Sequence, residues 1–377
     1  MFWAVLIYRF ESAQRRKSFV EKNVTMTPLY EKHKTFGAQM APFMGCLMPL
    51  HYVDPDAEHM AVRTAAGLFD AAHRCEVLLS GPDALANLQL LLCTNLRSLE
   101  VGAVRRSLML NMQGGVMDDV QVYRLEENAY RLALHTMNCD KDLRHIQRQR
   151  FGDVTIEPAE GESRLSLDGP RAAQLLATLA PQLPQAGHFV WSTVGGMDCR
   201  ISRIGFAGED GFSLCFALEN SEAMMDAIIR AGEPFGLRLC GTRSFDTLRL
   251  EAGHSRYGMD IDDAVNPLET GFRPLVHLEK RDFIGRDALV AGGEPRRARV
   301  GLRLERGEAL KDAPLIRRDK EVGAVTSSAY CPYLNASLAL ALVETPYSDV
   351  GRKYRVEAGG ELVEAEVVPL PFYTRQA

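Results

Sequence analysis

Asn111-Met112-Gln113-Gly114-Gly115-Val116-Met117-Asp118-Asp119-Val120 is the stretch on which the reading of this chain turns. Two glycines between apolar runs predict a tight turn, because glycine takes positive φ without a steric cost. Ser107-Leu108-Met109-Leu110 reads as the strand entering that turn, and Val120-Gln121-Val122-Tyr123-Arg124-Leu125 alternates as its hairpin partner. Neighbouring side chains on a strand point to opposite faces, so Asp118 and Asp119 cannot enter one pocket together. A single carboxylate held rigidly at a strand start beside bulky apolar neighbours suits proton or amine chemistry. The alternative is that both aspartates cap a solvated hairpin, as acidic turn residues often do.

With 377 residues the chain has room for two or three domains and a sizeable core. Hydrophobic residues at 46% and charged residues at 25% are ordinary for a soluble globular enzyme. A formal charge of −5 argues against nucleic-acid binding as the main activity, since that leaves a basic footprint. The local basic run Arg296-Arg297-Ala298-Arg299 reads as a solvated linker or strand edge. Eight cysteines show neither C-x-x-C nor a cysteine–histidine metal spacing, so no metal site is expected. They read as buried small hydrophobes in a reducing compartment, with cytoplasm the default. Phe2-Trp3-Ala4-Val5-Leu6-Ile7-Tyr8 is too short to span a bilayer and lacks a positive n-region. Arg15-Arg16-Lys17 fits a mitochondrial presequence, against which Glu11 and Glu21 count. No membrane partner is expected.

Thr27-Pro28 reads as a helix start, threonine as N-cap and proline at the first helical position. A unit then occurs twice. Glu76-Val77-Leu78-Leu79-Ser80 leads through Gly81-Pro82 into a helix bearing Leu85, Leu88, Leu91 and Leu92 on one face. Arg164-Leu165-Ser166-Leu167-Asp168 leads through Gly169-Pro170 into a helix bearing Leu175, Leu176 and Leu179. This points to an internal duplication with two α+β lobes of similar design. After Glu294-Pro295-Arg296-Arg297 short strands follow one another, which predicts a small closed or sandwiched β domain.

Seven segments carry a resemblance that runs from about Met26 to about Tyr373. They are Thr27–His33, Ala61–Asp70, Gly114–Asp119, Gly208-Glu209-Asp210-Gly211-Phe212, Asp246–Ala252, Asp282–Arg286 and Pro369–Tyr373. In this order and spacing the chain resembles the T-protein of the glycine cleavage system, a tetrahydrofolate-dependent aminomethyltransferase. The resemblance implies an α+β fold of two intertwined lobes plus a C-terminal β-barrel, around a central hole that holds the folate. The expected boundaries are residues 26–293 for the lobes and 298–377 for the barrel. Residues 1–25 are expected to be an extension outside the fold, added by an extended start at Met1.

The resemblance also implies roles. Asp119 corresponds to the aspartate facing folate N5, and is the expected catalytic and cofactor-binding residue. Asn138, Phe206, Ser213, Phe245 and His254 occupy the other folate-contacting positions, several with altered chemistry. Ser213 stands where the family carries a glutamate that pairs with the pterin's amino-pyrimidine edge, and a lone hydroxyl cannot reproduce two hydrogen bonds from that edge. Phe245 stands where the family has an arginine, with Arg243 two positions earlier, and Phe206 keeps a tyrosine's ring without its phenol. Arg74, Arg106, His135 and His254 are gained, which predicts a more cationic cavity, with Arg74 and Arg106 as substrate contacts. The expected activity is transfer of an aminomethyl or methyl group from a small donor to tetrahydrofolate, bound more weakly than usual. A lipoyl-bearing H-protein is the expected macromolecular partner, in the cytoplasm or, in a eukaryote, the mitochondrial matrix. The alternatives are a demethylase acting on an anionic N-, O- or S-methyl donor, or a non-catalytic ligand-binding module.

Overall fold

The structure, a computed structural model, describes residues 24–375. The presequence and membrane-span readings of the first residues therefore fall outside the described residues. The chain enters through β1 (Thr25–Met26), α1 (Tyr30–Thr35), β2 (Gln39–Phe43), β3 (Cys46–His51), α2 (Pro55–Thr64) and β4 (Ala66–Asp70). Thr25 pairs with Cys46 in parallel, so the fold includes this residue of the expected extension. The first helix begins later than its sequence suggests, with Leu29 rather than Thr27 at its N-cap. The Thr27 hydroxyl is instead drawn to the buried carboxylate of Asp70, a partner no local pattern announces.

Two lobes follow in the same order of elements. The first runs through β5 (Arg74–Ser80), α3 (Ala84–Leu91), β6 (Val104–Leu110), β7 (Val116–Glu126), β8 (Ala129–His135), α4 (Cys139–Arg148) and β9 (Thr155–Ala159). The second repeats it as β10 (Glu162–Asp168), α5 (Ala172–Leu176), β11 (Phe189–Val194), β12 (Met197–Ser202), β13 (Gly211–Ala217), α6 (Ser221–Gly232) and β14 (Leu237–Cys240). Their sheets are ordered β6-β7-β8-β5-β9 and β11-β12-β13-β10-β4-β14. The second sheet is the first with β4 inserted before its last strand. Because β4 precedes the first lobe in sequence, the lobes are intertwined. Leu88, Leu91 and Leu92 pack with Val77, Leu79 and Leu132 in one core, and Leu175 and Leu176 with Leu165, Leu167 and Phe212 in the other.

After α7 (Thr242–Glu251) and α8 (Arg286–Gly292) the chain closes a barrel in the order β15-β18-β17-β16-β19-β20. Its strands are β15 (Arg297–Leu304), β16 (Pro314–Arg317), β17 (Lys320–Cys331), β18 (Ala336–Glu344), β19 (Lys353–Ala358) and β20 (Glu361–Val368). The basic run before it is strand rather than linker. Arg297 pairs with Glu269, and Arg299 donates to Gly253 O and Ser255 Oγ, tying barrel to lobes. No helix among the described residues is long and apolar enough to cross a membrane.

Between the lobes lies a knot of charge. Glu76 accepts from Arg131, Arg164 and Arg200, and Arg131 also pairs with Glu162, which takes a hydrogen bond from Cys215. Glu76, Glu162 and Cys215 stand close enough to share an ion, but three guanidiniums already neutralise the carboxylates. The cysteines depart from expectation at one point. Cys46, Cys93, Cys199, Cys215, Cys240 and Cys331 are buried thiols, whereas Cys75 and Cys139 are joined as a disulfide between β5 and the start of α4.

Candidate active site

The Gly-Gly turn positions the site by being pinned from two sides. The Asn111 side chain accepts from the backbone N–H groups of Gln113 and Gly115, and Val116 N–H donates to the carbonyls of Asp262 and Val265. A Cβ at Gly115 would lie 1.8 Å from the Asp263 carbonyl oxygen, so the close approach requires glycine. A bulge between Met109 and Leu110 then shifts the register and aims the two aspartates. They part as alternation dictates: Asp118 is fully buried with Val120 and Val122, while Asp119 lines a cavity of about 130 Å³ walled by residues of both lobes.

Of the residues expected at the site, Asp119, Arg74, Arg106, Phe206, Phe245 and His254 converge on this cavity, with His135 beside them. Asn138 and Ser213 do not line it. Asn138 is buried and donates to the Met117 carbonyl. Ser213 pairs across the sheet with Ser166, which faces Phe69. Phe69 in turn packs edge-on against Phe206, so Ser213 lies on the sheet face turned toward the site, two strands away from Phe69. Arg243 is exposed and reaches toward Glu308, and does not replace the family arginine.

The aromatic wall is a stacked pair, Phe206 and Phe245, 4.1 Å between centroids. Phe43, Phe69 and the His73 ring meet Phe245 edge-on. Opposite stands the charge. Arg106 Nε donates to Asp119 Oδ1 at 2.7 Å and Nη2 to Oδ2, a two-pronged pair that also places the guanidinium over the Phe272 ring. Burial opposes ionisation of Asp119, but the charge and hydrogen bonds of Arg106, with Arg74 behind, override it and hold the carboxyl below its usual range. Asp119 is therefore a fixed negative charge near neutrality, and a poor acceptor for a proton.

The expected surplus of cations is smaller than a residue count suggests. Arg106 is consumed by Asp119. His254 donates from Nδ1 to the Phe206 carbonyl, and burial, then Arg106, lower its pKa to about 4, so it is neutral. Burial and Arg74 likewise hold His73 and His135 below their ordinary value. Arg74 is different: its side chain donates to the Asp119 carbonyl at 3.1 Å, and among the described residues it has no carboxylate in salt-bridge contact. Arg256 and Tyr257, which also line the cavity, were not singled out in the sequence. The former balances on Asp246 at 2.8 Å and lies over the Phe43 ring.

Two family models cover the chain: the GCVT N-terminal domain matches residues 29–280, and the glycine cleavage T-protein C-terminal barrel domain matches residues 297–374. The chain belongs to the glycine cleavage T-protein family. Among aminomethyltransferases of this family it is 38% identical over 359 residues to that of Desulfitobacterium hafniense (strain DSM 10664 / DCB-2), covering 93% of this chain and 98% of the relative. It is 40% identical over 358 residues to that of Moorella thermoacetica, with the same coverage. The crystal structure of glycine cleavage system aminomethyltransferase T from Bartonella henselae superposes with a TM-score of 0.86 at 29% identity, covering 93% of this chain and 98% of that one. The T-protein fold expected from the resemblance is thus the observed one, and the family's enzymes transfer a one-carbon unit, with tetrahydrofolate as acceptor. The residues present suit the head of that molecule: flat aromatic walls for a bicyclic ring, and a fixed carboxylate for its amine.

Proposed function

We propose that this T-protein transfers an aminomethyl group to tetrahydrofolate, with Asp119 as the residue that orients the accepting nitrogen. The observation that carries it is convergence of the Gly-Gly-turn carboxylate with the Phe206–Phe245 stack in one cavity. Tetrahydrofolate supplies the nucleophilic nitrogen when bound. Phe206 and Phe245 would hold its ring, and Asp119, locked by Arg106, would fix the direction of its N–H. Ser213 in place of a carboxylate weakens that binding by about 1.5–3 kcal/mol, the scale of a hydrogen bond to a charged group. The donor is a lipoyl-bearing H-protein. Calorimetric titration of tetrahydrofolate into the protein and into Ser213→Glu tests the pocket. Tight binding by the wild type and weaker binding by the variant would remove the Ser213 argument, and absence of binding by both would remove the reading itself.

A second reading rests on Arg74. A guanidinium that meets no carboxylate among the described residues, in a water-poor cavity, attracts an anion strongly, which favours a small methylated acid as the one-carbon donor. A thermal-shift screen of methylated acids against neutral analogues separates the two. Shifts confined to the acids, and lost in Arg74→Met, support the demethylase; equal shifts return the aminomethyl donor.

A further inference from the structure

Behind the cavity a chain of three side chains runs inward from β8 through β7 to α4. His135, the last residue of β8, lines the cavity and is 4% exposed. Its Nδ1 stands 2.5 Å from Asp118 Oδ1, and its backbone N–H donates to Asp118 Oδ2 at 2.9 Å. Asp118, fully buried, also takes the N–H of Asp119. Behind it Asp142 of α4 is fully buried, and burial together with the charge of Asp118 pushes its pKa to about 10, so it carries its proton. The His135 ring is held from the other side by Tyr257, 6.2 Å away and near parallel.

A carboxylate on Nδ1 fixes the tautomer: Nδ1 keeps the hydrogen, and Nε2 is left as a lone pair for the cavity. We infer that His135, backed by Asp118, is the proton-transfer residue of this site, and that Asp119 is not. The division follows from partners. Asp119 is neutralised by a two-pronged guanidinium, whereas His135 Nε2 has no hydrogen-bond partner among the described residues. This rests on the transferase reading above.

In the transfer a carbon–nitrogen bond forms at the accepting amine. The bond from that carbon to its donor heteroatom breaks, and its electron pair stays on the heteroatom. His135 Nε2 takes the proton released by the accepting nitrogen and returns it to the heteroatom, so no other acid or base is needed. Asp118 stays ionised throughout and stabilises the transient imidazolium. The groups facing the imidazole set its affinity for that proton. Arg74 on β5 and the His73 ring oppose protonation, Asp118 and Asp119 on β7 favour it, and Tyr257 is neutral. Burial and Arg74 win, leaving His135 below its ordinary value and unprotonated at neutrality, as a base requires.

The first measurement needs no turnover. Nitrogen-15 histidine spectra of the wild type, with His135 assigned by its disappearance in His135→Gln, should show an Nδ1–H tautomer whose proton lies far downfield. That signal should vanish in Asp118→Asn, and its titration midpoint in the wild type should fall below 6.5. The second measurement is the pH profile of aminomethyl transfer from a reduced lipoyl carrier to tetrahydrofolate. The wild type should lose kcat/KM as pH falls through that same midpoint. His135→Gln should lose about 10²–10⁴-fold in kcat, with KM changed only a few-fold, show no such limb, and recover in part with added imidazole. An Nε2–H tautomer, or an unchanged limb in His135→Gln, overturns the inference. If His135→Gln fails to fold, the wild-type tautomer and Asp118→Asn decide it. A wild type that transfers nothing while showing the Nδ1–H signal sinks the transferase reading and leaves the dyad standing.

Discussion

Asp119 and Arg106 hold each other in place at the edge of the cavity, and either alone would be costly there. Replacing Asp119 by Asn removes the counter-charge from a guanidinium about one-third exposed, and should cost about 1–3 kcal/mol of stability. It should also abolish alignment of the accepting amine, so transfer falls at least about 100-fold. Thermal melting and a turnover assay on the same preparation check both; unchanged turnover in a folded Asp119→Asn protein would remove that residue from the mechanism. The neutral histidines make a separate, pH-dependent prediction. His254 has a folded pKa of about 4, well below its unfolded value. As pH falls below about 6.5 the unfolded chain takes up a proton that the folded protein refuses, so stability is lost as pH falls toward 4. By pH 5 this amounts to on the order of 2 kcal/mol. Asp142, raised to about 10, stays protonated when folded, and Asp168, raised to about 7, takes up its proton as pH falls from 7, so both act in the opposite direction. The measurement is therefore a difference: the change in melting temperature from pH 7 to pH 5 should be more favourable in His254→Gln than in the wild type.

At the level of elements, the β6–β7 hairpin depends on one close approach. Gly115→Ala puts a methyl group into the Asp263 carbonyl, forcing the turn off the 262–265 loop and tilting the strand start that carries both aspartates. A loss of about 1–3 kcal/mol is expected, the range for overpacking, read as a lower urea midpoint. An Ala variant as stable and active as the wild type would show that the turn seat is loose. This hairpin was legible because its information is local: glycines where the chain reverses, and alternation on either side. Alternation alone also separates Asp118 from Asp119. The Arg106–Asp119 pair was within reach of the same logic. Arg106 is opposite Gln121, so Asp119, two residues away on the same face, is its diagonal neighbour. What stayed hidden was long-range. Thr27 looked like a helix cap until Asp70 claimed its hydroxyl, and Cys75 and Cys139 are 64 residues apart with no motif linking them. The histidines looked cationic because a sequence does not display burial, which is what keeps them neutral.

Across the whole molecule, beside the Arg297 and Arg299 contacts, a buried ion pair of the lobes grips the barrel through two hydroxyls of β17. Arg249 of α7 donates to Asp260 at 2.6 Å and to Ser327 of β17 at 2.9 Å, and Asp260 accepts from Thr326 and Ser327 at 2.5 Å each. Asp260→Ala removes one of the two carboxylates on the buried Arg249, leaving Asp246 at 2.6 Å, and takes away the acceptor of Thr326 and Ser327, which should cost about 1–3 kcal/mol. Denaturant unfolding followed by lobe and barrel probes should then show two transitions where the wild type shows one; a single, unshifted transition would mean that the fastening lies elsewhere. The insertion of β4 between β10 and β14 has a consequence in time as well as in space. On the ribosome β4 emerges before any of the first lobe, yet the strands that flank it are made only after that lobe is finished. The first lobe can complete its own sheet while β4 waits with both edges bare, a template for unwanted pairing in the crowded cell. Nascent chains stalled just short of Glu162 should accordingly show a protease-resistant first lobe behind a cleavable Ala66–Asp70 segment, which becomes protected once Cys240 has left the exit tunnel.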